Sequence, residues 1–221
     1  MVDEERKVRI TYDVEKDMKN IWRVCNSPVS YGVDVSDKVP KELIEASKGE
    51  YPDCRNRLLA LSTQMYPSVK NLPFILGLQS KWEEIEAPFF TKLWRITKRP
   101  HKGDITGYLT NAVRCPYDPR DGSFMVSLRS PIQRALLTCG HEILHLHFHQ
   151  HYFNKVAEKV GEEKAHDIKE ALTVLLNLEF ADLMKAEDKG YKKHERMRKF
   201  IEARWKEEKN FQKLLEGLVN F

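Results

Sequence analysis

His141, Glu142 and His145 stand in the spacing H-E-x-x-H, and residue type and spacing together describe a chemistry. On a helix, positions i and i+4 lie one turn apart on one face, so both imidazoles can reach a single metal ion. Glu142 follows the first of them, where its carboxylate can take a proton from a water polarised by that metal. A five-residue pattern with two free positions arises by chance in roughly one chain in a hundred of this length, so the surroundings have to support it. After Pro131 no proline interrupts the run to Phe148, and Leu136, Leu137, Ile143, Leu144 and Phe148 recur at helical spacing. Ser130 and Pro131 suit an N-cap and a first-turn position. Gly140, a poor helix former, is expected to admit another backbone at close range. The spacing predicts that the motif lies on a helix, as its chemistry requires.

Residues 124–190, which hold this motif and its downstream partners, resemble the active-site region of the zincin metallopeptidases. The resemblance implies a Zn2+ cofactor, hydrolysis of peptide bonds, Glu142 as general base, and a third protein ligand beside an open position for water. The metzincin pattern, H-E-x-x-H-x-x-G-x-x-H, would supply His151. Its glycine position holds Phe148, which does not tolerate the helix break that the pattern needs. The thermolysin-like gluzincin pattern takes a glutamate from a following helix, and Glu170 and Glu179 are its candidates. Residues 162–186 form a long helical run, mostly apolar, on which His166, Glu170, Thr173 and Asn177 share a polar stripe that needs partners. Glu170-Ala171-Leu172-Thr173 resembles the Glu-Ala-x-Ser stretch of the thermolysin third ligand.

Helix geometry leaves the choice open. A first helix reaching Val160 favours Glu179, and one ending near Asn154 favours Glu170. The ligand set is read as His141, His145 and Glu170, with Glu179 and His151 as alternatives. The sequence departs from the family at Val174, where thermolysin-like enzymes carry an aspartate that orients a ligand histidine. Asn177, Asp167 or Asp182 must take that role, or it is missing. Tyr191 and His194 follow the third-ligand helix, where the family uses a histidine and a tyrosine to stabilise the oxyanion. His149 lies on the His141–His145 stripe two turns on. Cys139 and Cys115 are further possible ligands, although neither belongs to a C-x-x-C pair. If His149, Cys139 or a second carboxylate closed the metal shell, the chain would be a metal-stabilised interaction protein and not an enzyme.

The elements that must position these groups follow from pattern. The expectation is one α+β zincin-like domain over residues 1–221, mostly helical, with a small sheet beside the active-site helix. Residues 1–103 form a mostly helical N-terminal lobe, 104–190 the strands, motif helix and third-ligand helix, and 191–221 a C-terminal helix or two. Val8–Tyr12 alternates as a strand, residues 14–26, 41–47, 54–65 and 78–97 are helical with breaks at prolines, and 27–40 is loop-rich. Asp104–Arg114 and Ser123–Leu128 read as strands around a turn, and Phe124–Leu128 is the candidate edge strand for pairing with a substrate backbone.

Among 221 residues, 41% are hydrophobic and 32% charged, enough apolar material for a proper core. The net charge of +4 does not by itself imply nucleic acid, and the basic run 92–102 is expected to be a solvated face. The alternative for that run is a nucleic-acid-associated protein. Four dispersed cysteines, a charged N-terminus and no membrane-length apolar run point to a cytoplasmic protein, and the zincin resemblance implies a peptide or protein substrate. Cleavage specificity and oligomeric state are not encoded in any motif.

Overall fold

The computed structural model describes residues 8–65 and 71–221. It is an α+β structure, mostly helical around one small mixed sheet. Strand β1 (Val8–Thr11) buries Val8 and Ile10 and exposes Arg9, the alternation of a half-covered strand. Asp13 then caps α1 (Val14–Asn26), its carboxylate accepting from the N–H groups of Glu15 and Lys16.

Residues 27–40 are more ordered than a loop. They form a hairpin of β2 (Val29–Ser30) and β3 (Val33–Asp34), followed by a 3-10 turn at 36–38. At the tip, Tyr31 and Gly32 take φ of 48° and 74°, the paired left-handed conformation of a type I′ hairpin turn. Helices α2 (Lys41–Ala46) and α3 (Tyr51–Met65) match expectation, and α4 (Asn71–Glu83) and α5 (Glu86–Thr97) follow. Pro73 and Pro88 sit in first turns, where a missing N–H costs nothing, so they begin helices and do not break them. Pro67 lies outside the described residues.

Strand β4 (Ile105–Thr110) stops four residues short of the expected Arg114. The buried Asp17 carboxylate of α1 accepts from Thr110 Oγ1 (2.7 Å), Asn111 N (2.9 Å) and Asn111 Nδ2 (2.8 Å), which turns the chain out of the sheet. Two further strands, β5 (Tyr117–Asp118) and β6 (Ser123–Ser127), complete the order β1-β4-β6-β5, with β5 alone antiparallel to its neighbour. This corrects the expected edge. Residues 124–127 lie in an interior strand, buried throughout, while β5 forms the edge inside what the sequence presents as a turn.

The motif lies on α6 (Ile132–His151), unbroken past Phe148. Pro131 occupies its cap position, one residue later than expected, with no side-chain cap. A break at Tyr152 starts α7 (Phe153–Val160), and Gly161, at φ 82°, turns the chain into α8 (Glu162–Leu172). The expected helix over 162–186 breaks at Thr173–Val174, and α9 (Leu175–Glu179) closes it. The C-terminal segment forms two helices, α10 (Glu195–Glu207) and α11 (Phe211–Val219). No helix among the described residues is long and apolar enough to cross a membrane.

Three apolar clusters hold these elements. The first joins sheet, α4, α5 and α6 through Trp82, Phe89, Phe124, Leu137, Ile143 and Phe180, and burial of each such side chain contributes about 1.5–3 kcal/mol. The second joins α7, α8, α10 and α11 around Ile168, Ile201, Trp205 and Leu218. The third packs α1, α2 and α3 through Met18, Ile21, Leu43 and Leu58. Gly140 lies against the first, and side chains, not a backbone, approach it: a Cβ there would meet Met184 Cε at 2.8 Å and Phe89 Cε2 at 3.3 Å. Gly140→Leu is expected to cost about 1–3 kcal/mol by overpacking this seam, measured as a lowered midpoint of urea unfolding.

Candidate metal centre

Helix α6 presents His141 and His145 one turn apart, and the antiparallel return through α7 and Gly161 brings Glu170 of α8 against both. His145 Nε2 lies 3.3 Å from Glu170 Oε1, and His141 Nε2 lies 3.6 Å from Glu170 Oε2. One ligand atom from each residue falls within 4.8 Å of the others, the geometry of a group that can hold a metal ion. His145 and Glu170 are buried and His141 is partly so. Neither ring nitrogen of the buried His145 has a hydrogen-bond partner. A buried polar atom is costly unless satisfied, and a cation between His145 and Glu170 would satisfy it.

The early end of α6 decides between the two glutamates. Because the chain turns at Tyr152 and again at Gly161, it is Glu170 that returns opposite the histidines. Glu179 lies elsewhere, accepting from Trp205 Nε1 at 2.8 Å and pairing with Lys209 at 2.6 Å. His151 is turned away, with Nε2 2.8 Å from the carbonyl of Pro100. His149 lies against Tyr117 Oη (2.7 Å) and stacks on Phe153, and Cys139 is fully buried in the first core cluster. Burial pushes the Cys115 thiol up to about 12. No fourth His, Cys, Asp or Glu joins the group among the described residues, so it offers three donor side chains.

The carboxylate that orients His141 is Asp188, a residue the sequence pattern does not single out. Its Oδ2 lies 2.6 Å from His141 Nδ1, which places a proton on Nδ1 and turns Nε2 toward Glu170. Asp188 is itself held tightly. Oδ1 accepts from Arg198 Nη1 at 2.9 Å and lies 3.1 Å from Thr173 Oγ1, and its backbone exchanges two hydrogen bonds with the Asn177 amide at 2.8 Å each. The polar stripe of Thr173 and Asn177 thus finds its partner in Asp188. Asp167 and Asp182 pair instead with Lys193 and Lys92. His194 is buried against Asp167 at 2.9 Å, its ring 5.4 Å from that of Tyr31 and 5.8 Å from that of Tyr191. Lys92 of the basic run is committed to Asp182 and to the Glu179 carbonyl.

Electrostatics follow from this crowding. Burial alone would raise Glu170, but His145, His141 and Lys169 outweigh it and hold the carboxylate far below its usual range. Lys169, itself buried, lies 2.7 Å from Glu170 Oε1 and 4.4 Å from the centre of the Tyr117 ring. Burial pushes His145 down to about 3, reinforced by the Lys169 charge. Burial opposes protonation of His141 too, but Asp188 and Glu170 raise it to about 10. Burial raises the Glu142 carboxyl to about 8.

The group opens into a cleft of about 700 Å³. Glu142 and His149 share its wall with three phenols, Tyr31 from the hairpin tip, Tyr117 from β5 and Tyr191. The Tyr31 and Tyr191 rings lie 4.9 Å apart. Tyr31 and Tyr117 have no periodic signal in the sequence, since a hairpin tip and a two-residue strand carry no repeat. Comparison with models of protein families, with curated proteins and with solved structures gave no match to this chain.

Two outcomes are expected. Asp188→Asn removes the anion that fixes His141 and should weaken divalent-metal affinity about 10–100-fold, read by competition with a chromophoric chelator. His141 is protonated in the ion-free group, so a metal must displace that proton. Affinity should therefore rise at least about tenfold per pH unit between about pH 6 and 8, with ~1–2 protons released per ion in calorimetry across buffers, the second from the raised Glu142 carboxyl.

Proposed function

We propose that the protein is a zinc-dependent peptidase with a zincin-like arrangement, hydrolysing peptide bonds in the cleft above α6. The observation that carries this reading is a three-ligand group, His141, His145 and Glu170, beside an unliganded carboxyl at Glu142 on an open cleft. Two imidazoles and one carboxylate are a donor set that suits zinc, and three protein ligands characterise catalytic and not structural sites. Zinc in such a site supplies a Lewis acid that lowers the pKa of water and polarises a carbonyl.

The chain's own groups then have distinct tasks. Asp188 keeps His141 in the Nδ1–H tautomer, so Nε2 is available as a ligand. Lys169 holds Glu170 Oε1 and so fixes the carboxylate's rotation. Glu142, lifted to about 8 by burial, accepts a proton near neutral pH and returns it to the leaving amine. A dication nearby favours its ionised form. Burial, with the Glu170 charge as a further cause, keeps the Tyr31 and Tyr191 phenols protonated, Tyr191 raised to about 12, so both remain donors toward an anionic oxygen. The strand at the cleft edge is β5 and not residues 124–128, so an extended substrate would align along Tyr117–Asp118.

The decisive test pairs metal content with turnover. Wild type is expected to carry about one zinc per chain and to cleave a mixed peptide pool. Glu142→Gln should keep the zinc and lose about 10²–10⁴-fold in rate, whereas His145→Ala should lose both. Full activity in Glu142→Gln would overturn the assigned role.

A further inference from the structure

One surface outside the cleft carries charge that no internal partner absorbs. Lys92, Arg95, Lys98, Arg99 and Lys102 fall within residues 92–102, with no acid among them. The net charge of the whole chain is +4, so the rest of the sequence is close to balanced. Lys92 is spent on Asp182 at 3.0 Å. Arg95, Lys98, Arg99 and Lys102 are exposed, and none has a carboxylate of the described residues within 4.0 Å. Trp94 stands among them, 43% exposed, with Lys98 Nζ 5.7 Å from the centre of its ring. None of residues 92–102 lines the cleft.

The segment past α5 is fixed, because its backbone is pinned to the end of α6. Tyr152 Oη donates to the Thr97 carbonyl at 2.9 Å, and His151 Nε2 donates to the Pro100 carbonyl at 2.8 Å. The Gln150 amide exchanges two hydrogen bonds with the backbone of Lys102, at 2.8 Å and 2.9 Å. The backbone thus bonds inward while the cationic side chains stand in solvent. Cations at a helix C-terminus complement its dipole, which accounts for Arg95 and Lys98. That effect fades within a turn and does not account for Arg99 and Lys102, nor for an indole left in water. A flat ring framed by fixed cations suits a single-stranded nucleic acid, whose phosphates meet the cations while a base stacks on the ring. A duplex keeps its bases stacked on one another and offers Trp94 no face. A membrane would need a wider apolar face than one indole, and the neighbouring Thr91, Arg95 and Lys98 are exposed and polar.

We propose that residues 94–102 form a docking surface for single-stranded nucleic acid, in which Trp94 stacks on a base and Arg95, Lys98, Arg99 and Lys102 contact phosphates. Such a surface reads charge and ring faces, so it selects no base sequence. It does not rest on the metal centre or on the peptidase reading. A strand held there leaves the cleft open, since no residue of this surface lines it.

The test is binding of a fluorescein-labelled oligothymidylate of about twelve nucleotides to the full chain, by anisotropy over a range of salt. Wild type is expected to bind in the micromolar range at about 50 mM salt. Log affinity should fall against log salt concentration with a slope of about −3, each single-strand phosphate contact contributing about −0.7. Arg99→Gln combined with Lys102→Gln should bring that slope to about −1.5. Trp94→Ala should weaken binding about 5–100-fold and leave the slope unchanged, because it removes stacking and no charge. Trp94→Phe should recover part of that loss, and binding to a duplex of the same length should not respond to either change. All these side chains are exposed, and an unchanged thermal midpoint checks that each variant is folded. No binding at about 50 mM salt, a slope unaltered in the double variant, or full affinity in Trp94→Ala overturns the proposal. So does retention on vesicles of equal phosphatidylserine and phosphatidylcholine without binding of the oligonucleotide. Glu142→Gln should bind the oligonucleotide as wild type does. Loss of the peptidase reading therefore leaves this surface standing, and an absence of oligonucleotide binding leaves the peptidase reading untouched.

Discussion

The structure depends on the burial of Glu170. A carboxylate at 6% exposure is unfavourable unless several positive or polar groups converge on it, and here two imidazoles and an ammonium do so. Their convergence dictates where α6 must end, how tightly α7 and Gly161 must return the chain, and which face α8 turns inward. It also explains the second layer. Once His141 is committed to the carboxylate side, its other nitrogen needs an anion, Asp188. That anion in turn needs Arg198, Thr173 and Asn177, so the requirement spreads outward through α8, α9 and α10.

The floor of the cleft and its walls come from different cores. α6 is fixed by the first apolar cluster and α8 by the second, while the Asp17 and Asn20 side chains of α1, anchored in the third, hold the segment leading to Arg114. The hairpin hangs on Arg114, whose Nη2 donates to the Val33 and Pro28 carbonyls, and delivers Tyr31 across the cleft. Tyr31 thus rests on a packing unit separate from the two that carry His141, His145 and Glu170.

Much of this was legible in the sequence, and the limits have physical causes. The motif helix follows from apolar spacing after Pro131, and the two histidines and Glu142 follow from it. The sequence names Glu170 but cannot separate it from Glu179, because the answer turns on a break at Tyr152 where no proline or glycine marks it. Phe124–Leu128 is recognisable as a strand from composition, but interior or edge is a matter of pairing with β5, two residues too short to show an alternation. Asp188 and Tyr31 are invisible for a different reason. Each works through a partner far along the chain, and neither sits on a periodic face. Residues 162–186 look like one helix because their polar stripe continues through Thr173 and Asn177. The stripe is real, but it serves the Asp188 backbone across a broken helix.

The sequence separations in these contacts carry a consequence for how the molecule is made. His141 meets Asp188 over 47 residues, and Asp188 meets Arg198 over 10. Asp17 and Asn111, by contrast, are 94 apart, and Arg114 and Pro28 are 86 apart. Loop-closure entropy rises with the length of chain enclosed, so contacts of the first kind close sooner than those of the second. The order this favours during folding is a ligand cluster assembled on α6, α8 and the Asp188 loop while the opposite wall is still open. In such an order, an ion arriving from solution meets its three donors before the hairpin swings Tyr31 over them.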